Sequence, residues 1–132
     1  LYLEQRNITV STDIDETATG WFDRDLIFHL LNDIIINAMR YTADKLFIKV
    51  EIAEDGECRI MVHDNGDGFP ASMLENAAMP IQQLNIQQSR TGLGLYFAQM
   101  IASAHERNNK KGFIELQNNG HLGGGVFSLT LP

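Results

Sequence analysis

The run Asp64-Asn65-Gly66-Asp67-Gly68 constrains this chain more than any other feature. It follows Cys58 to His63, where Ile60 and Val62 alternate with their neighbours as in a half-buried strand. Glycine permits positive φ and close backbone approach. Two glycines at alternate positions therefore predict a tight turn, with Asp64 held where the strand ends. A carboxylate fixed there can accept a hydrogen bond from an exocyclic amine. A plain acidic turn fits the same run. A calcium loop fits poorly: Glu75 stands where its last ligand belongs, but Gly66 and Gly68 bring no side-chain oxygen. Two other runs flank the turn in order, Asn37-Ala38-Met39-Arg40-Tyr41-Thr42 upstream and Thr91-Gly92-Leu93-Gly94-Leu95 downstream.

The 132 residues suffice for one domain with one core, spanning 1–132. Hydrophobic content of 44% and charged content of 20% describe an ordinary globular chain. A net charge of −7 argues against nucleic acid as a partner, which needs clustered Lys and Arg. It leaves room for a locally positive pocket. No apolar run approaches the roughly 20 residues of a membrane span, and no signal-peptide pattern is visible. Direct membrane contact is not expected. Cys58 is the only cysteine, which excludes an internal disulfide and suits a reducing compartment. Beginning at Leu1, the sequence reads as a piece of a longer chain.

Periodicity predicts strands over 7–14, 45–52, 58–63, 113–117 and 126–131, and helices over 25–41 and 93–104. Asp23 is a fair N-cap for the first helix. Glu54-Asp55-Gly56-Glu57 is a hairpin signal. A turn containing Gly120, Gly123, Gly124 and Gly125 joins the last two strands. The stretch 71–90 differs, carrying Gln82, Gln83, Asn85, Gln87 and Gln88 and one short helix near 72–76. A segment this long between ordered elements is expected to act as a lid, over 71–91. The order strand, helix, strand, strand, lid, helix, strand, strand predicts an α/β (α+β) two-layer sandwich. Its sheet is mixed and mostly antiparallel, of about five strands, with helices on one face.

On the first helix Asp33, Asn37 and Arg40 fall within about 60° of one another. Their stripe includes Leu26 and Leu30 and borders the apolar arc, so its polar groups should be satisfied by something. A solvated row on a helix edge is the plain reading. Facing a ligand, Asn37 offers Mg2+ a neutral oxygen. Arg40 offers phosphate a fixed charge, and Tyr41 can pack against a base or sugar. In the third run Gly92 and Gly94 enter a helix start, where free N–H groups make a natural phosphate site. Thr91 adds a hydroxyl, Arg90 can reach a terminal phosphate, and Leu93 and Leu95 pack beneath. A glycine-softened cap is the plain reading here. Phe97 in place of a third glycine excludes a dinucleotide-binding loop, and the missing Lys-Ser/Thr end excludes a P-loop.

In this order the three runs resemble the N, G1 and G2 boxes of the ATPase superfamily that joins gyrase, heat-shock chaperones, histidine kinases and mismatch-repair proteins. The spacing and the ending Gly125-Val126-Phe127-Ser128-Leu129-Thr130-Leu131-Pro132 resemble the sensor histidine kinase branch. The resemblance covers the chain from about Phe22 to Pro132 and implies a Bergerat fold with ATP and Mg2+. It implies that Asn37 binds the metal, Arg40 faces phosphate and Asp64 reads the adenine amino group. Gly66 and Gly68 would shape the pocket wall, and Phe69 would begin the lid. Tyr41, Arg90, Thr91, Gly92, Leu93, Gly94 and Leu95 complete the implied ATP-binding set, with Asp33, Asn37 and Arg90 in catalytic roles. The implied activity is transfer of the γ-phosphate to a His on the phospho-acceptor/dimerisation helices of the parent kinase, outside this chain. A response regulator would act downstream. The implied location is cytoplasmic, including the case of a parent anchored in the inner membrane.

The family pattern is not followed everywhere. Asp33 stands where many histidine kinases carry Asn and hydrolytic relatives carry Glu. It can serve as a weak base or an outer-sphere metal partner. The usual Phe-x-x-Phe lid element is not recognisable, and Met79-Pro80-Ile81 stands roughly in its place. The stretch Glu106 to Lys111 is an unusual insert. Two alternatives therefore stay open. One is a degenerate nucleotide-sensing or docking domain without phosphotransfer. The other is a stand-alone ATPase or an anti-sigma-type Ser/Thr kinase. His29, His63, His105 and His121 lack phospho-acceptor surroundings and read as structural, His105 as a helix C-terminal cap.

Overall fold

The computed structural model describes residues 7–78 and 90–132. The elements in chain order are β1 (Thr9–Ile14), α1 (Arg24–Tyr41), β2 (Lys45–Ile52), β3 (Cys58–Asp64), α2 (Ala71–Ala78), α3 (Arg90–Ser103), β4 (Glu106–Arg107), β5 (Lys110–Lys111), β6 (Phe113–Gln117) and β7 (Val126–Leu131). Five strands form one sheet in the order β1-β2-β3-β7-β6. β1 and β2 run parallel, joined through α1, and the other neighbours are antiparallel.

Helix α1 begins where its capping residue predicts. The Asp23 carboxylate accepts from Leu26 N–H at 3.1 Å, satisfying one of the orphan donors of the first turn. Asp23 N–H donates to His105 Nε2 at 2.9 Å. Because Nε2 accepts there, the ring proton sits on Nδ1, which lies 2.7 Å from Ile101 O and donates to it. His105 thus caps the last turn of α3, as expected, and also ties that turn to the start of α1. Helix α1 ends at Thr42, whose ψ of 150 leaves helical geometry.

Strand register explains the single helical layer. Cys58, Ile60 and Val62 of β3 share one sheet face with Leu129 and Leu131 of β7 and Ile114 of β6. This face meets Ile27, Leu30 and Ile34 of α1, Ala77 of α2, and Leu95, Ala98 and Ala102 of α3. Burial pushes the Cys58 thiol pKa up, so it behaves as a small inert apolar group. The opposite sheet face carries Lys49–Glu51 and Arg59–Glu51 ion pairs at 3.5 and 3.6 Å. They are solvent-exposed and contribute little to stability. The expected two-layer sandwich with a mixed, mostly antiparallel sheet is the observed architecture.

Boundaries differ in places. β1 begins at Thr9 rather than Asn7, because Asn7 takes φ 53 and cannot extend the strand. α2 runs over Ala71–Ala78, longer than the predicted turn or so, and α3 is described from Arg90 rather than Leu93. The insert is a small hairpin, with Glu106 opposite Lys111 and Arg107 opposite Lys110. Its turn residues Asn108 and Asn109 adopt φ 54 and 63, the pair of positive values that a tight two-residue hairpin turn needs. Periodicity misses it because two-residue polar strands carry no alternation. No helix among the described residues is long and apolar enough to cross a membrane.

Candidate functional site

Asp64 closes β3 on the core face of the sheet and is only 5% exposed. Its Oδ1 accepts from Gly66 N–H at 2.9 Å and Gly125 N–H at 3.2 Å. Its own N–H donates to Gly125 O at 3.0 Å. No described residue donates to Oδ2. Burying a carboxylate is costly unless its oxygens find donors. The arrangement therefore orients Oδ2 as an acceptor for an incoming N–H group.

The glycine turn before β7 makes this anchoring possible. A Cβ on Gly124 would lie 2.5 Å from Asp64 Oδ1 and 2.7 Å from Gly66 N. One on Gly125 would meet the Phe69 ring at 2.8 Å and Asp64 Oδ2 at 3.0 Å. Both positions must stay bare for the turn to reach Asp64. Sequence alone places this turn between two strands and gives it no part in the site. Its signal is the run of three consecutive glycines.

Phe69 is held by a reciprocal pair. Its N–H donates to Asn118 Oδ1 at 2.7 Å, and Asn118 Nδ2 donates to its carbonyl at 3.0 Å. Gly68, at φ 87, packs directly against the Asn118 amide. Asn118 thus shapes the exit from the Asp64 turn, another role that sequence reasoning missed.

The Asp64 turn is also joined to the end of α1. Gly66 lies against the Tyr41 carbonyl so closely that a Cβ would overlap it. Asn65 Oδ1 accepts from the backbone N–H groups of Ala43, Asp44 and Lys45 at 3.1, 3.0 and 3.0 Å. Its Nδ2 donates to Asp44 Oδ1 at 2.7 Å. Thr42, 3% exposed, has its hydroxyl 2.5 Å from Lys45 O and 2.9 Å from Asn65 Oδ1. The first two runs picked out in the sequence are therefore in direct contact.

Asp33, Asn37, Arg40 and Tyr41 lie along the C-terminal half of α1 and are all exposed. No ion pair engages Asp33 or Arg40 among the described residues. Arg40 sits in the last turn, where its charge complements the helix dipole. Leu95 is buried in the core, beneath the third run as expected. Helix α3 is described from Arg90, and Gly92 and Gly94 fall within its first two described turns. The side chains of Arg90, Thr91, Gly92, Leu93 and Gly94 lie outside the described residues. So do Met79-Pro80-Ile81 and the Gln82 to Gln88 part of the expected lid.

Behind Asp64, on the opposite sheet face, the His63 ring packs 5.4 Å from Phe47 and 6.4 Å from His121, centroid to centroid. Its Nδ1 is buried with no described partner. Burial first, then the charges of His121 and Lys49, lower its pKa below the usual 6.5, against a smaller opposing pull from Asp64. A lowered folded-state pKa means the unfolded chain binds the proton more readily. The stability His63 contributes is thus present above pH 6.5 and lost as pH falls through its folded value. We expect His63→Gln to lose less stability than wild type between about pH 7.5 and about pH 5.5, read by urea unfolding. Parallel losses in the two proteins would assign the acid sensitivity to other groups.

Residues 22–132 match the family model described as histidine kinase-, DNA gyrase B-, and HSP90-like ATPase. The chain is 30% identical over 112 residues to the signal transduction histidine-protein kinase AtoS of Escherichia coli, covering 83% of this chain and 17% of that protein. It is 27% identical over 104 residues to the alginate biosynthesis sensor protein KinB of Pseudomonas aeruginosa, covering 77% and 18%. It superposes on the catalytic domain of histidine kinase ThkA with a TM-score of 0.76 at 24% identity, covering 98% of this chain and 82% of that structure. The chain therefore spans less than a fifth of the curated relatives it matches. By a match that runs from Phe22 to Pro132, it belongs to the family of histidine kinase-, DNA gyrase B- and HSP90-like ATPases.

Proposed function

We propose that this chain is the ATP-binding catalytic domain of a two-component sensor histidine kinase. Asp64 carries the reading. It is a buried carboxylate with one oxygen held by two backbone N–H groups and the other left to accept. Adenine presents an amino donor to such an acceptor. Guanine presents a carbonyl oxygen at the same ring position and would be repelled. The family match and the sensor kinases among the relatives support the same reading.

The other residues fall into roles that their chemistry suits. Tyr41 and Phe69 flank the Asp64 turn and offer apolar surface to a base or sugar. Gly66 and Gly68 keep that turn close to its neighbours. Arg40, Arg90, Thr91 and the N-terminal turn of α3, with Gly92, Leu93 and Gly94, supply charge and N–H donors to phosphates. Leu95 supports that turn from the core. Asn37 offers one amide oxygen, which fits Mg2+ because that ion keeps water and phosphate as most of its ligands. Bound Mg2+ would neutralise charge on the β- and γ-phosphates. Asp33, one helical turn before Asn37, is placed to act as a weak base or an outer-sphere partner. Arg90 would stabilise charge on the γ-phosphoryl group as it is transferred, with ADP as the leaving group. Catalysis is then positioning and charge neutralisation. The acceptor is a His on the phospho-acceptor/dimerisation helices of the parent, a response regulator receives the phosphoryl group next, and the domain works in the cytoplasm.

The test is titration calorimetry with ATP and GTP, with and without Mg2+. The expected result is magnesium-dependent ATP binding, with GTP weaker by at least about tenfold. A folded protein that binds neither nucleotide would instead be a docking domain.

A further inference from the structure

We propose that Asn65 is the positioning residue that couples the adenine-reading half of the site to its phosphate-facing half. The inference rests on the proposed ATP site and concerns how its two halves are held in register. The adenine contact is on β3, at Asp64. The metal and phosphate groups Asn37 and Arg40 are on α1. Between the helix end and β2 the chain makes the short connection Thr42-Ala43-Asp44, and Asn65 binds the whole of it.

The geometry goes beyond an ordinary turn. One side-chain oxygen accepts from three consecutive backbone N–H groups, Ala43, Asp44 and Lys45. The amide nitrogen donates to Asp44 Oδ1, and the Asn65 backbone N–H lies 3.3 Å from Thr42 Oγ1. Three N–H groups converging on one atom fix which end of the amide is oxygen. The adjacent residues complete the junction. Asp64 reads the base, and Gly66 packs on the Tyr41 carbonyl. A shift at residue 65 would therefore move the end of α1 relative to Asp64 while leaving each half intact.

A ligand that touches both halves gains from their fixed spacing, because the second contact is made within an already bound complex. ATP spans both halves, and adenosine reaches only the Asp64 half. Loss of Asn65 should therefore weaken ATP much more than adenosine. A merely structural role would weaken both alike.

The experiment measures ATP and adenosine affinity by NMR titration for the wild type, Asn65→Ala, and the exchange pair Asn65→Asp with Asp44→Asn. In the exchange pair the carboxylate now at position 65 can accept the three N–H groups. The amide now at position 44 can return the donor, so the network is restored with its partners reversed. The expected result is at least about a tenfold loss for ATP in Asn65→Ala, less than about twofold for adenosine, and recovery of the ATP-to-adenosine ratio in the exchange pair. Equal losses for the two ligands, or an unchanged ratio, would overturn the proposal. If Asn65→Ala does not fold, the exchange pair and Asn65→Asp alone decide it, since Asn65→Asp keeps the acceptor and sets two carboxylates face to face. Wild-type protein that binds neither ligand would refute the ATP reading itself.

Discussion

Asp64→Asn is expected to fold like the wild type and to bind ATP about 100-fold more weakly, a loss near 3 kcal/mol. The size of the loss follows from which atom faces which. Two backbone N–H groups, from Gly66 and Gly125, point at Oδ1. An asparagine here keeps its carbonyl oxygen against those donors, because turning it would set its NH2 against two N–H groups. Its NH2 must then occupy the place of Oδ2 and confront the adenine amino group, donor against donor. The local fold keeps its hydrogen bonds while the ligand loses one and meets a repulsion. Asp64→Ala is a blunter change: it also strands Gly66 N–H and Gly125 N–H in a buried setting, so stability falls along with affinity. Calorimetry paired with thermal melting separates the two variants. A wild-type-like Kd in Asp64→Asn would show that the carboxylate does not read the base.

Much of the fold was legible because the core face repeats. β2, β6 and β7 have the predicted limits, since Ile48, Val50 and Ile52, Ile114 and Leu116, and Leu129 and Leu131 stand at alternate positions and all pack into or against the core. Helix α1 was legible for the matching reason: Ile27, Leu30 and Ile34 recur at helical spacing behind a capping Asp23. The missed features are polar and non-local. Asn65 binds residues 20 to 22 positions earlier, and Asn118 binds Phe69 across 49 positions. Gly125 reaches Asp64 across 61. Each motif can be read in sequence as a local turn, but nothing local says which turns touch. The insert hairpin failed differently. Its two-residue strands are exposed, so only the paired Asn108 and Asn109 marked it.

Gly66→Ala is expected to lower the unfolding free energy by about 3 kcal/mol and to remove ATP binding with it. The added Cβ would overlap the Tyr41 carbonyl oxygen and approach the Tyr41 carbonyl carbon at 3.0 Å and Asp64 Oδ1 at 3.3 Å. Two of those atoms are backbone of the last turn of α1 and cannot rotate aside. The third is the oxygen that Gly66 N–H itself anchors. Relief requires the turn and the helix end to move apart, which pulls Asp64 away from Asn37 and Arg40. Gly56→Ala is the control. Gly56 has φ 89 but nothing within 4 Å of its Cβ position, so only backbone strain opposes it, about 1 kcal/mol. The ordering is informative because glycine's conformational freedom alone predicts the reverse: Gly56 has a positive φ and Gly66 does not. Urea unfolding midpoints give the comparison directly. If Gly66→Ala proves the milder change, the contact between α1 and the Asp64 turn is loose. A loose contact would also remove the physical basis for coupling the two halves of the site.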